Sequence, residues 1–369
     1  MEVRFFKRSE RQLMLDSIDR LWRHNHVYVR RPEVLEHLVW NTPYRAAFAG
    51  EENYSYIGMW DEDGEVVGLL GSTPQEMNAF GRTYPSNTFT TWIVDKTKNR
   101  HANGLDMVHY VFEHADVEML LNIGISEMVY PVYRFFLKCD TLRDFPRWIA
   151  VNRKEETMRV FSLPEEVAPY LPQLQPIAVS SPRYHVAVDA FDAAKWDAYY
   201  KKTFAPVSIG TKKDAKFLDW RYRQEPVLSY HFLTVEDAEG VHGLAVVRVE
   251  SILGGAYKIG RVLEFMALAA EPSVLLADAV ARFDPEVLMW DFYCLSDITA
   301  FGLEAVGFRK LPAWLDKTMM PTRFQPVDHE NLHIRMAVGL GARTKDLVTP
   351  INGYEWYVTK GDADQDRAN

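Results

Sequence analysis

The apolar positions along the chain change period repeatedly, and each change marks an element. Leu13, Leu15, Ile18, Leu21 and Trp22 fall on or near one face of a helix predicted over Arg11 to His24, and a second helix is predicted over Pro32 to Trp40. Tyr54 to Trp60, the turn Asp61-Glu62-Asp63-Gly64 and Glu65 to Gly71 then read as a hairpin. The β-branched and aromatic run Phe89 to Val94 predicts another strand, followed by a polar, basic loop. Leu105, Met107, Val108, Val111 and Phe112 predict a helix over Leu105 to His114. A strand over Glu118 to Ile125 and a bulky apolar helix over Met128 to Leu137 complete the series.

The second half gives the same series again. Leu218 to Pro226 leads, as Leu38 to Pro43 does, into a hairpin, Tyr230 to Val235 and Val241 to Val247 about the turn Glu236 to Gly240. A strand (Val262 to Leu268), a helix (Val274 to Phe283), a strand (Glu286 to Tyr293) and a helix (Ile298 to Val306) follow, and the helix Ala193 to Phe204 matches the one near the start. Such a repeat predicts a duplicated α+β domain. The expected units are 1–155 and 183–369, with a seam over 156–182 rich in proline (164, 169, 172, 176 and 182). Final strands are expected at Asn331 to Val338 and Tyr354 to Lys360, and the polar, acidic end, Gly361 to Arg367, is expected to fray.

Composition narrows the class. With 369 residues, 47% of them hydrophobic, the chain can bury two cores. A net charge of -9 without a basic block argues against a nucleic-acid partner. The start lacks a basic segment leading into an apolar run, and no stretch approaches eighteen apolar residues, so a cytoplasmic protein with no membrane partner is expected. Cys139 and Cys294 read as buried thiols in a reducing compartment. No paired-cysteine spacing occurs and no metal is expected.

The stretch from Thr88 to Ile125 carries the chemistry. A strand, a loop with small residues and a helix N-terminus present backbone N–H groups and the positive end of the helix dipole, a setting for phosphate. Ala102 and Gly104 are the small residues, and Lys98, Arg100 and His101 add donors.

These residues resemble the acyl-CoA N-acyltransferase superfamily, the GNAT fold. In that family a fourth strand ending in Val enters a loop Gln/Arg-x-x-Gly-x-Gly/Ala that holds the CoA pyrophosphate. Counted from Val94, the loop falls on Asn99-x-x-Ala102-x-Gly104, with the spacing kept and the first residue and first glycine changed. Tyr133 stands where the family keeps a tyrosine near the CoA sulfur, with Tyr130 one turn earlier. The resemblance implies two tandem GNAT-like domains, each a mixed, mostly antiparallel twisted sheet flanked by helices. The second repeat has no phosphate loop and carries Leu303 in the tyrosine's place, so the first repeat is expected to bind acyl-CoA, acetyl or longer.

Trp220-Arg221-Tyr222, Trp92 and the closing Asp364-Gln365-Asp366-Arg367 resemble tandem N-acyltransferases of nucleotide-linked amino sugars. That likeness implies a dTDP- or UDP-linked amino sugar as acceptor, in polysaccharide biosynthesis. Acyl transfer to an amine needs an oxyanion donor, a base and a way to discharge the thiolate. The expected catalytic residues are Tyr133 as acid and Asp95 or Glu76 as base, with Ser72, Ser86 or Thr90 as a relay. Trp92, Ile93, Val94, Asn99, Arg100, His101, Ala102, Asn103 and Gly104 are the cofactor residues, and Thr90, Arg82, Arg221, Tyr222 and Glu264 the substrate residues. An amino acid, polyamine or peptide acceptor, and a non-catalytic binding module, are the alternatives.

Overall fold

The computed structural model describes residues 1–97, 102–324, 327–328, 334–347 and 350–367. In chain order the strands are β1 (Glu2–Lys7), β2 (Asn53–Trp60), β3 (Val66–Ala79), β4 (Arg82–Val94), β5 (Met119–Ile123), β6 (Asp140–Leu142), β7 (Arg147–Val151), β8 (His185–Val188) and β9 (Ile209–Thr211). There follow β10 (His231–Asp237), β11 (Gly240–Ile252), β12 (Tyr257–Met266), β13 (Val287–Tyr293), β14 (Arg309–Lys310), β15 (Arg323–Phe324), β16 (Val327–Asp328) and β17 (Met336–Leu340).

They form two large sheets of one design. The first has the order β1-β2-β3-β4-β5-β17-β6, with β9 added to β3; the second has β14-β7-β13-β12-β11-β10-β8. In each sheet one parallel pair, β4 with β5 and β12 with β13, stands among antiparallel neighbours. The α+β class and the duplicated, mostly antiparallel sheets agree with the sequence pattern.

Sheet membership does not follow the chain halves. β7, from the first half, lies between β13 and β14 of the second sheet, and β17, from the second half, lies between β5 and β6 of the first. Each is antiparallel to the strand of the parallel pair that it joins, so the two sheets exchange equivalent strands. A boundary at residue 155 therefore cuts through shared hydrogen bonding, and β7 does not belong with the sheet its sequence position suggests.

Several element limits differ from the pattern. β3 and β4 form a long hairpin turning at Phe80–Gly81, so β4 begins at Arg82 rather than Phe89, and Glu76 lies on β3 rather than in a loop. β-branched and small residues run through this segment; its polar serines and threonines hid the strand because they read as solvated loop, whereas Ser72, Thr73, Ser86, Thr88 and Thr91 are buried. Tyr354 to Lys360 makes isolated bridges, Trp356 with Ile209 and Thr359 with Cys294, rather than a strand. The helix expected over Met128 to Leu137 is shortened to a wide turn, Val132–Phe136. Asn331 lies outside the described residues.

The largest departure is the C-terminal end. Expected to fray, it is instead a buried strap between the sheets, with Asp362 and Asp366 inaccessible. Lys213 pairs with Asp362, Arg248 with Asp366 at 2.6 Å, and Arg221 donates to the carbonyls of Gly361, Ala363 and Asp366. Each acid meets a cation from another element, which repays its desolvation. Trp220 donates to the His37 carbonyl at 3.0 Å and so ties the halves together. Both cysteines are buried thiols, and no helix among the described residues is long and apolar enough to cross a membrane.

Candidate active site

β4 and β5 pair only at Ser86–Met119 and Asn87–Leu120 and then diverge. A side chain bridges the start of the gap: Asn122 Oδ1 accepts the Phe89 N–H at 2.6 Å. A bulge turns β4 further, since it advances from Thr90 to Ile93 while β3 moves only from Gly71 to Leu69, and Thr91 has φ +45°. Gly71 is required opposite the bulge, as a Cβ there would come within 2.5 Å of Thr90 Cγ2. Beyond Thr88, β4 thus has no strand on its β5 side among the described residues, and its backbone groups there can meet a ligand. At the root of the opening, Ser86 Oγ, Asn87 Nδ2, Thr88 Oγ1 and Asn122 Nδ2 are buried without partners among the described residues.

The helix Gly104–His114 starts beside the diverging strand. Asn103 caps it by accepting the Leu105 N–H at 3.2 Å, and Trp92 Nε1 donates to the Gly104 carbonyl at 3.1 Å. A Cβ on Gly104 would sit 2.8 Å from Trp92 Nε1, so glycine is what lets the helix start so close to β4. Tyr133 meets Trp92 edge to face, with centroids 5.9 Å apart, and burial pushes its phenol well above the ordinary range.

On the other side the strap closes in. Thr90 Oγ1 and the Tyr28 hydroxyl both donate to Asp364, at 2.7 and 2.9 Å, and Arg367 pairs with the same carboxylate at 3.0 Å. Burial raises that carboxyl's affinity for a proton, yet Arg367 and the two hydroxyls outweigh it and leave Asp364 below the usual range. Gln365 packs against Gly124 just past β5; φ is +85° at Gly124 and a Cβ would come within 2.3 Å of Gln365. There a cavity of about 310 Å³ opens, lined by Gly124 to Glu127 from the first sheet, Thr322, Arg323, Ile334 and Arg335 from the second half, and Lys360 and Gln365 from the strap.

No protein-family model matches this chain, and no curated protein does. Solved structures do. A probable N-acyltransferase from Enterococcus faecalis is 13% identical with a TM-score of 0.54, over 91% of this chain and 71% of that one. A GCN5-related N-acetyltransferase from Anabaena variabilis is 10% identical, TM-score 0.52, over 91% and 72%. The Saccharomyces cerevisiae N-myristoyltransferase, solved with bound myristoyl-CoA and inhibitors, is 11% identical, TM-score 0.52, over 95% and 81%. The chain has the GNAT-type fold.

Within that GNAT-type fold the expected site residues separate. Thr90, Trp92, Ile93 and Val94 lie on the diverging strand, and Asn103 and Gly104 at the helix mouth beside it. Asn99, Arg100 and His101 lie outside the described residues. Ala102 is buried in the apolar core of the first sheet. Asp95 accepts from the Thr97 N–H and hydroxyl as a turn residue, and Glu76 is paired with Lys212 at 2.9 Å.

The remaining expectations are corrected. Arg82 is exposed at the β3–β4 hairpin tip, about 26 Å along the strand from Thr90 at roughly 3.3 Å per residue, so it does not reach the opening. Arg221, Tyr222 and Glu264 are sealed in the interior. Tyr222 donates to Glu264 at 2.7 Å, Lys213 pairs with Glu264 at 2.5 Å, and Arg221 holds strap carbonyls, so all three fasten the strap and none faces a substrate.

Asn122 and Lys360, and Asp364 and Gln365 of the closing motif, also border the opening or the cavity beside it, and none of the four was among the expected site residues. The alternation of Asp362, Asp364 and Asp366, within an end expected to fray, is the signal that the sequence offers. His329-Glu330-Asn331-Leu332-His333 also has metal-motif spacing that the expectation of no metal passed over. That run lies outside the described residues.

Proposed function

We propose that the protein is an acyl-CoA-dependent N-acyltransferase. The divergence of β4 from β5 past Asn87, beside the helix that begins at Gly104, is the observation that carries this reading. Unpaired β4 backbone would hydrogen-bond the cofactor and the developing oxyanion, and the helix N-terminus would take its diphosphate. The yeast N-myristoyltransferase of similar fold binds myristoyl-CoA, which supports an acyl-CoA donor.

In this reading the acceptor amine enters the cavity past Gly124 and attacks the thioester carbonyl directly in a ternary complex. The C–N bond forms, the C–S bond breaks, and Tyr133 gives its proton to the leaving thiolate. Deprotonating the amine asks for a modest base. Asp95 and Glu76 are the proposed carboxylates, and Asp364, which reaches the diverging strand through Thr90, joins them. The proposed acceptor is a dTDP- or UDP-linked amino sugar of polysaccharide biosynthesis; the size of the cavity and the Arg323, Arg335 and Lys360 side chains on its wall support it.

The test is thiol release from acetyl-CoA and longer acyl-CoAs against a panel of nucleotide-linked amino sugars, amino acids and polyamines. Release that depends on a nucleotide-linked amine supports the full reading. Release with other amines alone removes the sugar, and no release together with no CoA-dependent shift in melting temperature removes the enzyme.

A further inference from the structure

The cavity past Gly124 adjoins a smaller cleft, and the two share Thr322, Arg323, Lys360 and Gln365. The cleft adds Arg248, Glu250, Arg261 and Arg367, so the combined wall is strongly cationic. Most of these cations are matched. Arg248 pairs with Glu250 and Asp366, Arg261 with Glu250 and Asp291, Arg367 with Asp364, and Arg335 with Glu127.

Lys360 is different. It is 6% exposed, and among the described residues its ammonium makes one hydrogen bond, to the Thr322 carbonyl at 3.3 Å, while lying 4.8 Å from the Tyr293 ring centre. An ammonium carries three donors, so two are unspent. Arg248 Nε and Arg367 Nε, both in the cleft wall, are likewise buried without partners. Buried N–H groups of this kind are ordinarily satisfied.

We propose that Lys360 anchors an anionic group of the acceptor, a phosphate or a carboxylate, at the junction of the cavity and the cleft. The inference rests on the acyltransferase reading and narrows its acceptor to an amine that carries a negative charge. An anion here would meet the spare donors of Lys360 beside the unpartnered Nε–H groups of Arg248 and Arg367, leaving the amine in the wider cavity toward β5.

The surroundings of Lys360 give the proposal a pH signature. Arg261 on β12, Arg147 on β7, Arg248 and Glu250 on β11, Asp291 and Tyr293 on β13, Arg323 on β15, and Asp366 and Arg367 of the strap face or line its site. Burial, with Arg261 and Arg147 adding repulsion and Asp291 and Asp366 offsetting part of it, brings the lysine down to about 7. An anion favours the protonated form. Binding is therefore nearly full at pH 6, where roughly nine in ten lysines keep their proton, and about tenfold weaker at pH 8, where roughly nine in ten have lost it.

Isothermal titration with sulfate, which does not titrate in this range, tests the proposal on the full-length protein at pH 6 and pH 8. The expected result is the tenfold loss in the wild type and, in Lys360→Met, at least tenfold weaker binding at pH 6 with no pH dependence. Unchanged binding in a folded Lys360→Met overturns the proposal, as does the absence of sulfate binding by the wild type at pH 6, whether or not the variant folds.

Displacement of sulfate by thymidine diphosphate assigns a phosphate, displacement by succinate alone assigns a carboxylate, and displacement by neither overturns the link to the acceptor. Thiol release with uncharged amines as fast as with charged ones also overturns it while leaving the acyltransferase reading standing. Sulfate binding without any thiol release fails that reading instead.

Discussion

A Cβ at Gly361 would stand 2.0 Å from the Tyr222 hydroxyl, and that hydroxyl is already held by Glu264. Gly361→Ala must push apart the strap and the floor that seats it, at an expected cost of about 1–3 kcal/mol in urea unfolding. Gly104 makes the matching point on the catalytic side. Gly104→Glu brings a side chain against Trp92 and an anion to the positive end of the helix, so CoA affinity by calorimetry is expected to be lost and the melting temperature to fall; retained affinity would count against the helix mouth as the diphosphate site. Tyr133→Phe keeps the edge-to-face packing on Trp92 and removes the proton, so kcat is expected to fall by about 10²-fold or more with little change in KM. Wild-type turnover would leave Tyr133 as a packing residue.

The strap has its own energetics. Asp366 takes Arg248 at 2.6 Å and the Tyr230 hydroxyl at 2.6 Å. Burial works against its charge, but Arg248, the Tyr230 bond and Arg221 hold its carboxyl well below the usual range. A carboxyl lowered in the folded state stabilises above its unfolded value, about 3.9, and that contribution fades as pH falls toward the folded value. Asp366→Asn leaves Arg248 facing Glu250 alone and is expected to cost about 3–5 kcal/mol at pH 7, measured by urea unfolding, with the gap to wild type narrowing below pH 4. An equal gap at pH 7 and pH 3 would assign the loss to shape rather than charge. The pattern of alternating acids was visible in the sequence. Their partners were not, because Lys213, Arg248 and Tyr28 lie more than a hundred residues away in three different parts of the chain, and local periodicity reports only what neighbours along the chain share.

At the scale of the whole chain the repeat was legible because each half had to build the same two-faced sheet, and a two-faced sheet writes its alternation into the sequence. Strand exchange leaves no such trace. β7 and β17 are short apolar runs that would satisfy either sheet, and which one they join is decided by the path of the intervening 184 residues rather than by their own side chains. The exchange makes a fragment experiment decisive. Residues 1–182 alone lack β17, leaving β5 and β6 without the strand that joins them, and residues 183–369 alone lack β7, leaving β13 and β14 in the same condition. Exposed apolar strand edges pair nonspecifically. Each fragment by itself is therefore expected to aggregate or to unfold without a sharp transition, whereas the two expressed together form a soluble one-to-one complex and the intact chain unfolds in a single step. A cooperative urea transition in either fragment alone would mean that the exchanged strands decorate two independent domains, and the cavity between them, with its acceptor, would lose the rigid walls the proposed reaction requires.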